Sequence, residues 1–404
     1  MLDLAKLAAV LAVIIVLLRL KWNLGLVLLL ASALTGLFFG RAALDLAKDA
    51  VTAIVDPLTL QLIAIVLLIT FMGEILRATQ QLEGLVHSLT DLVADRRWLL
   101  VLLPLLIGML PMSGGAMFSA PLVQEASRDL EVSREQQTFV NYWFRHSLEP
   151  VFPLYPSLIL AAGLLGVSVQ RLAATQWPLF LATLSGGVFF GLAGLRAGVA
   201  SDKGPVSRKE TWLLLAKSIW PIALVLVPSL LFGVNLIVAL AVTVAILIVA
   251  NRLGPRRIVT LARQMPFGVV PIVAGAMVFR LVLETTGAVT TMSAGLASLN
   301  VPVALVVFLA PFAAGLLTGL LTAAFAIGFP IGLSLVGPDP VAAGYGLVAF
   351  AGGLAGILMS PMHLCLALTR DYFRAEWGGI YRRIVPAIGL MIIAVVVFMA
   401  VKSP

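Results

Sequence analysis

The chain has 404 residues, 61% hydrophobic and 11% charged, with a formal net charge of +8 and a mean hydropathy of +1.09. No soluble domain hides that much apolar surface, so the composition excludes one and specifies a polytopic helical membrane protein. The positive balance does not indicate nucleic acid: the basic residues sit in short loops between apolar runs, where membrane topology accounts for them. The single Cys365 excludes an intramolecular disulfide and any multi-cysteine metal site.

In chain order, apolar runs predict membrane spans near 4–20, 23–40, 57–77, 176–195, 211–232, 233–251, 267–284 and 384–401. Each is near the ~20 residues a bilayer needs. Residues 1–20 lack a basic leading region and a small-residue cleavage site, so they read as a first span and not as a signal peptide. In 80–97, Glu83, His87, Asp91 and Asp95 recur every four residues, with Leu82, Leu85, Val86, Leu89, Leu92 and Val93 on the other face. That spacing predicts an amphipathic helix lying in the interface.

Two stretches break the pattern. Residues 98–110 form an apolar arm of about 13 residues, roughly 20 Å long at 1.5 Å per residue and short of a ~30 Å hydrocarbon core. The arm is broken at 111–115 by Pro-Met-Ser-Gly-Gly, and a second short arm runs over about 116–124, which predicts a re-entrant hairpin over 98–127. The next segment, 139–169, carries Arg145, His146 and Glu149 and is then interrupted by Pro150, Pro153 and Pro156. Backbone broken at membrane depth is tolerated only where it is buried in protein or lines a cavity. Transporters hold substrates and ions at such breaks.

About 207 residues later the same order returns. After the span at 267–284 comes a stretch with Val289, Met292, Leu296 and Leu299 at helical spacing. A second hairpin follows over 301–335, with 315–318 falling where 108–111 fell. A second broken helix spans 341–373, its Pro361 close to where Pro156 fell. The flanking spans pair at nearly the same offset, and an ordered series of pairings is a repeat. The halves are 1–200 and 201–404, divided in the polar loop 196–210.

Charge decides how the hairpins run. If each enters and leaves on one side, the loop Lys and Arg residues divide 19 to 5 across the membrane; if each crosses, 14 to 10. Positive charge collects on the cytoplasmic side, so the hairpins are re-entrant. Each half then has five crossings, an odd number, and the halves insert with opposite orientation. The expected fold is an all-α polytopic membrane protein of two inverted repeats. Each repeat holds five transmembrane helices, one re-entrant hairpin and one interfacial amphipathic helix. Both termini come out non-cytoplasmic; the first hairpin opens from the cytoplasm, the second from outside.

The candidate site follows from the breaks. Ser113, Gly114 and Gly115 stand at the first hairpin tip, matched by Thr318, Gly319 and Thr322 in the second half. Small residues there let backbone approach a ligand, although they also serve close helix packing. Arg145 and Glu149, four apart, form either a neutralising structural pair or part of the site. In the second reading Arg145 receives a carboxylate or similar anion, and Glu149 or His146 takes up a proton or orders a cation. Tyr155 and Ser157 are expected to offer hydroxyls to the same space. Ser360 and His363 occupy the second break, where a lone buried histidine is either a hydrogen-bonded core residue or a ligand group. Arg370 and Asp371 read as interfacial anchors and His87 as idle.

Enzymatic readings have less support. There is no H-E-x-x-H, and His146 with Glu149 makes only H-x-x-E. Without a cysteine partner or another histidine nearby in sequence, no metal site is expected. An intramembrane hydrolase using Ser113 or His146/Glu149 is the alternative; labelling by a serine-directed probe, or stoichiometric zinc, would favour it.

The hairpin tip PMSGGAMFSAP, the following RHSLEPVFPLYPS and their counterparts LLTGLLTAA and MSPMHLCLALTRDYF resemble the ion transporter superfamily, which holds citrate, dicarboxylate, gluconate and arsenite carriers. Within it the chain looks most like an integral-membrane family of unknown function. The resemblance implies a homodimer in which the first three helices of each half form a scaffold. Hairpins and broken helices would form a transport domain that slides as an elevator. By position Ser113, Gly114, Thr318 and Gly319 would match the tip residues that hold substrate carboxylates and, in sodium-coupled members, the cation. No Ser-Asn-Thr stands at either tip, so proton coupling is as plausible as sodium coupling. The expectation is a secondary active transporter, not an enzyme, of a small anionic metabolite (organic acid or oxyanion), coupled to a proton or Na+. Its partners would be that anion, the lipid bilayer and a second copy of the chain, with no nucleic acid. It would have no cofactor beyond a bound Na+ or transported H+, and would sit in a prokaryotic cytoplasmic (inner) membrane.

Overall fold

The computed structural model describes residues 2–20, 22–109, 115–128, 130–196, 208–265, 267–288, 301–333, 336, 339–341 and 344–402. The described secondary structure is helical. In chain order it comprises α1 (Leu2–Arg19), α2 (Leu24–Phe38), α3 (Ala43–Val55), α4 (Pro57–Ala78), α5 (Gln81–Leu92), α6 (Arg96–Gly108) and α7 (Gly115–Ala126). Then come α8 (Arg134–Ser147), α9 (Pro156–Leu165), α10 (Val169–Thr175), α11 (Trp177–Leu192), α12 (Arg208–Leu231) and α13 (Leu236–Ala250). The chain continues through α14 (Pro255–Gln264), α15 (Val269–Thr285), α16 (Val303–Thr318), α17 (Leu321–Leu333), α18 (Tyr345–Met359), α19 (Leu364–Phe373) and α20 (Trp377–Lys402).

This is an integral membrane protein, but its helices are less uniform than its apolar runs. Among the described residues, α4, α12, α20 and the run Tyr345–Phe373 are long and apolar enough to cross a bilayer. A fifth span is reached if α9 and α10, bent by 102° at their break, count together. Helices α2 and α13 have 15 residues each, about 22 Å at 1.5 Å per residue. The expected full-length spans at 23–40 and 233–251 are therefore corrected. Polar caps set where the two helices begin: Asn23 accepts hydrogen bonds from the Gly25 and Leu26 amides, and Asn235 accepts from Ile237. The opposite error occurs at α20, which starts at Trp377 because Arg382 and Arg383 interrupt the apolar run but not the helix.

Three helices had no sequence expectation: α10, between the first broken segment and the next span, and the pair α3 and α14. α3 and α14 occupy matching places, each after the second helix of its half, and are too short and polar to register as apolar runs. α5 forms where the four-residue spacing predicts, and its apolar face is taken by protein: Leu82 and Leu85 are buried as the helix packs on α12. His87 points outward and pairs with Asp91 at 3.0 Å. Most of the matching stretch in the second half (289–300) lies outside the described residues.

The packing places the site. α2 lies along α15 and α4 along α13; α11 packs on α20. α6 packs against α7 and α8, and α16 against α17 and α18, so each hairpin rests on the helix that leads into a break. α7 touches α19, and α9 touches α17. α16 and α18 come close because Gly352 and Gly356 face the Phe308 and Phe312 carbonyls.

Arg41 clamps α3 through two hydrogen bonds of 2.9 Å to Asp49, whose carboxylate also accepts from Thr285 of α15 at 3.1 Å. The Arg41 guanidinium, ahead of the opposing effect of burial, holds the Asp49 carboxyl below its ordinary value. A group with a lowered folded pKa stabilises above its unfolded value, about 3.9 for Asp, and loses that contribution as pH falls through the folded value. Asp49→Asn is therefore expected to lower the apparent Tm at pH 7. The gap to the parent protein should narrow on acidification to about pH 3. A gap independent of pH would assign the effect to packing.

Candidate functional site at the meeting of two broken helices

Two short helices occupy the stretch expected to form the first hairpin, 13 residues in α6 and 12 in α7. The first tip, 110–114, with Ser113 and Gly114, lies outside the described residues. Gly115 begins α7 and is buried; a Cβ there would run into the Arg145 guanidinium. The absent side chain is what lets Arg145 lie against the hairpin. In the second hairpin, Gly319 ends α16 at φ 68°, and its amide donates to the Gly315 carbonyl at 2.8 Å. The Thr318 hydroxyl donates to Ala314 O at 2.7 Å and accepts from the Leu320 amide at 3.2 Å, which commits it to the helix end. Thr322 is half-buried on the first turn of α17.

α8 starts on a Ser133 cap and is buried from Thr138 to Ser147. Its helix then stops, and α9 resumes at Pro156, because Pro150, Pro153 and Pro156 offer no amide hydrogens to continue the ladder. Arg145, His146 and Glu149 are 7%, 5% and 7% exposed, so all three ionisable side chains are held inside the protein. The Glu149 carboxylate meets His146: Nδ1 stands 2.7 Å from Oε1. His146 is thus a partner of Glu149 that the four-residue spacing to Arg145 did not indicate. Glu149 Oε2 is buried and has no hydrogen-bond partner among the described residues. Tyr155 also departs from expectation. Its hydroxyl is directed at the Gly108 carbonyl, with Arg145 O at 3.1 Å, and so ties the end of α6 to α8 instead of facing open space. Ser157 is buried on the first turn of α9.

The second break mirrors the first. After α18, Ser360 donates to Leu316 O at 2.7 Å and anchors the break to α16. His363 caps α19, and its Nδ1 faces the Gly319 carbonyl of the hairpin end. Its Nε2 stands 3.1 Å from Nε2 of His146. The two rings cross at 78° with centroids 4.8 Å apart. The Tyr142 ring packs on both, and its hydroxyl donates to Ile357 O at 2.9 Å. Cys365, one step into α19, completes a group in which one ligand atom each of His146, His363 and Cys365 lies within 4.8 Å of the others. Asn141 ties the assembly together: its amide nitrogen donates to Ala116 O of α7 at 3.1 Å and to Thr369 of α19 at 3.0 Å.

The structure thus supplies what the sequence was read as lacking, a second histidine and a cysteine beside His146. His363 is 217 residues away in the chain; the only sequence signal was that each histidine stands at the break of its half. Neither expected role for His363 excludes the other, since it is both hydrogen-bonded and turned toward His146. Arg370 and Asp371 pair with each other at 2.7 Å, with the guanidinium over Trp377. His146, Glu149 and His363 are buried. A cavity of 660 Å³ lies elsewhere, lined by Glu135, Glu376, Arg382 and Arg383 among others, and none of the cluster residues reaches it. Chemically, the centre combines a guanidinium suited to an anion with two imidazoles, a thiol and a carboxylate suited to a cation.

The model of a family described as "Protein of unknown function (DUF401)" matches residues 3–402. No curated protein matches the chain in sequence. Among solved structures, the fold is similar to that of the Alcanivorax borkumensis YdaH transporter, whose crystal structure is described as revealing an unusual topology. The identity is 15% and the TM-score 0.52, over 96% of this chain and 98% of the other.

Proposed function

The chain belongs to the DUF401 family, and from that premise we propose that it is a secondary active transporter. Its substrate is a small anionic metabolite, an organic acid or an oxyanion, and its coupling ion a proton or Na+. The observation that carries this reading is the meeting of the two helix breaks, His146 against His363, with an ionisable Arg145–His146–Glu149 cluster buried there. Ionisable groups are costly at membrane depth and mark substrate and ion pathways. A fold shared with a solved transporter agrees with it.

The halves 1–200 and 201–404 act as inverted repeats, each with five crossings and a re-entrant hairpin. Exchange of contacts between halves supports this: α2 with α15 answers α4 with α13, and α7 with α19 answers α9 with α17. Alternating access then works as an elevator, with hairpins and broken helices moving against a scaffold in a homodimer. Leu231 at the end of α12, Phe232 just after it and Val249 on α13 are 74–76% exposed, apolar surface suited to lipid or to a second copy.

The test is thermal stabilisation of the purified protein by a panel of organic acids and oxyanions, with and without sodium and at two pH values. Ligand that binds the folded state raises apparent stability by mass action. The expected result is a shift from one anion class, dependent on sodium or pH and lost in Ser113→Ala. No shift with any anion would overturn the anionic substrate.

A further inference from the structure

The facing histidines pose a problem of hydrogen-bond accounting. His363 Nδ1 faces the Gly319 carbonyl, which has no proton to give, so the ring carries its proton on Nδ1. His146 Nδ1 faces the Glu149 carboxylate, which when ionised is also an acceptor only. Both rings then present bare Nε2 lone pairs, and these stand 3.1 Å apart in a buried setting. Two lone pairs aimed at each other repel unless a cation lies between them.

A proton would satisfy the two nitrogens, but it has no use for a third donor. The site has one: Cys365 brings its sulfur to the same point, within 4.8 Å of the histidine ligand atoms. Zn–N bonds of about 2.0–2.1 Å at tetrahedral angles put two nitrogen ligands roughly 3.3 Å apart. The observed 3.1 Å is close to that. The remaining contacts agree. Metal-bound histidines almost always donate their other ring N–H to a carboxylate or a backbone carbonyl, and here one ring has each.

We propose that His146 Nε2, His363 Nε2 and Cys365 Sγ form a binding site for a borderline-soft d-block dication of the Zn2+ class. Glu149 and the Gly319 carbonyl orient the two rings, and a fourth coordination position is left for water or an anion. Oxygen-seeking ions such as Mg2+ and Ca2+ do not suit this donor set. The ion would join the break after α8 to the break before α19, fixing the two halves of the centre to each other. Bound zinc would therefore not by itself argue for hydrolysis, and only serine-probe labelling keeps that meaning.

The experiment titrates the purified full-length protein, stripped by chelator, with Co2+ as the spectroscopic probe. No transported substrate is needed, so the outcome is independent of the transport reading. The expected result is one Co2+ per chain with a sulfur-to-cobalt charge-transfer band, displaced by Zn2+. Cys365→Ser should lose the band, and His363→Gln should lose stoichiometric binding, with both variants eluting like the parent on size exclusion. Glu149→Gln should weaken binding about 10- to 100-fold. No stoichiometric binding, or a band that survives Cys365→Ser, would overturn the proposal. The cation between the rings would then be a proton.

Discussion

Glu149→Gln is expected to abolish uptake of the transported anion into proteoliposomes while the protein still elutes as the parent does. Glu149→Ala is expected to lose the folded protein as well. Glutamine keeps an oxygen to accept from His146 Nδ1, now 2.7 Å from Oε1, and removes only the charge. Alanine leaves His146 without its partner inside the bundle. Breaking one side of a buried pair costs about 3–5 kcal/mol, against a typical total stability of about 5–15 kcal/mol. The contrast matters because a residue needed only for folding would show no loss in the glutamine variant. Normal uptake by Glu149→Gln would remove Glu149 from the transport site.

The second large effect is expected at the other hairpin. Gly319→Val should lower the apparent Tm strongly and disrupt the His363 contact. At φ 68° a non-glycine residue carries a penalty of roughly 1–2 kcal/mol. The new Cβ would stand 2.6 Å from the His363 amide nitrogen and 2.8 Å from its Cα. Those are backbone atoms, which cannot rotate away as a side chain can. Gly389→Ala is the matched control: it lies in α20 with nothing within 4 Å of an added Cβ. There alanine should be neutral or slightly stabilising, by up to about 1 kcal/mol. Equal Tm values for Gly319→Val and the parent would show that the hairpin end relaxes without help from His363.

What the sequence alone determined is everything that depends on local pattern. Apolar runs against a bilayer's thickness specified a helical membrane protein, and arms too short to cross, separated by Pro-Met-Ser-Gly-Gly, marked out the short helices α6 and α7. Prolines at 150, 153 and 156 specified the first break, because lost amide hydrogens act on the residues next to them. Helix ends were less legible, since a single cap such as Asn235 starts a helix partway into an apolar run. The spacing offered Arg145 as one partner for Glu149 and did not reveal His146, because a four-residue spacing applies only while the helix continues, and α8 stops at Ser147, between Arg145 and Glu149. Only the tertiary structure decided that His146 meets His363 and Cys365. Distance along the chain carries no information about which two breaks a bundle brings together. That is set by the packing of α8 on α19 and of each hairpin on the opposite half.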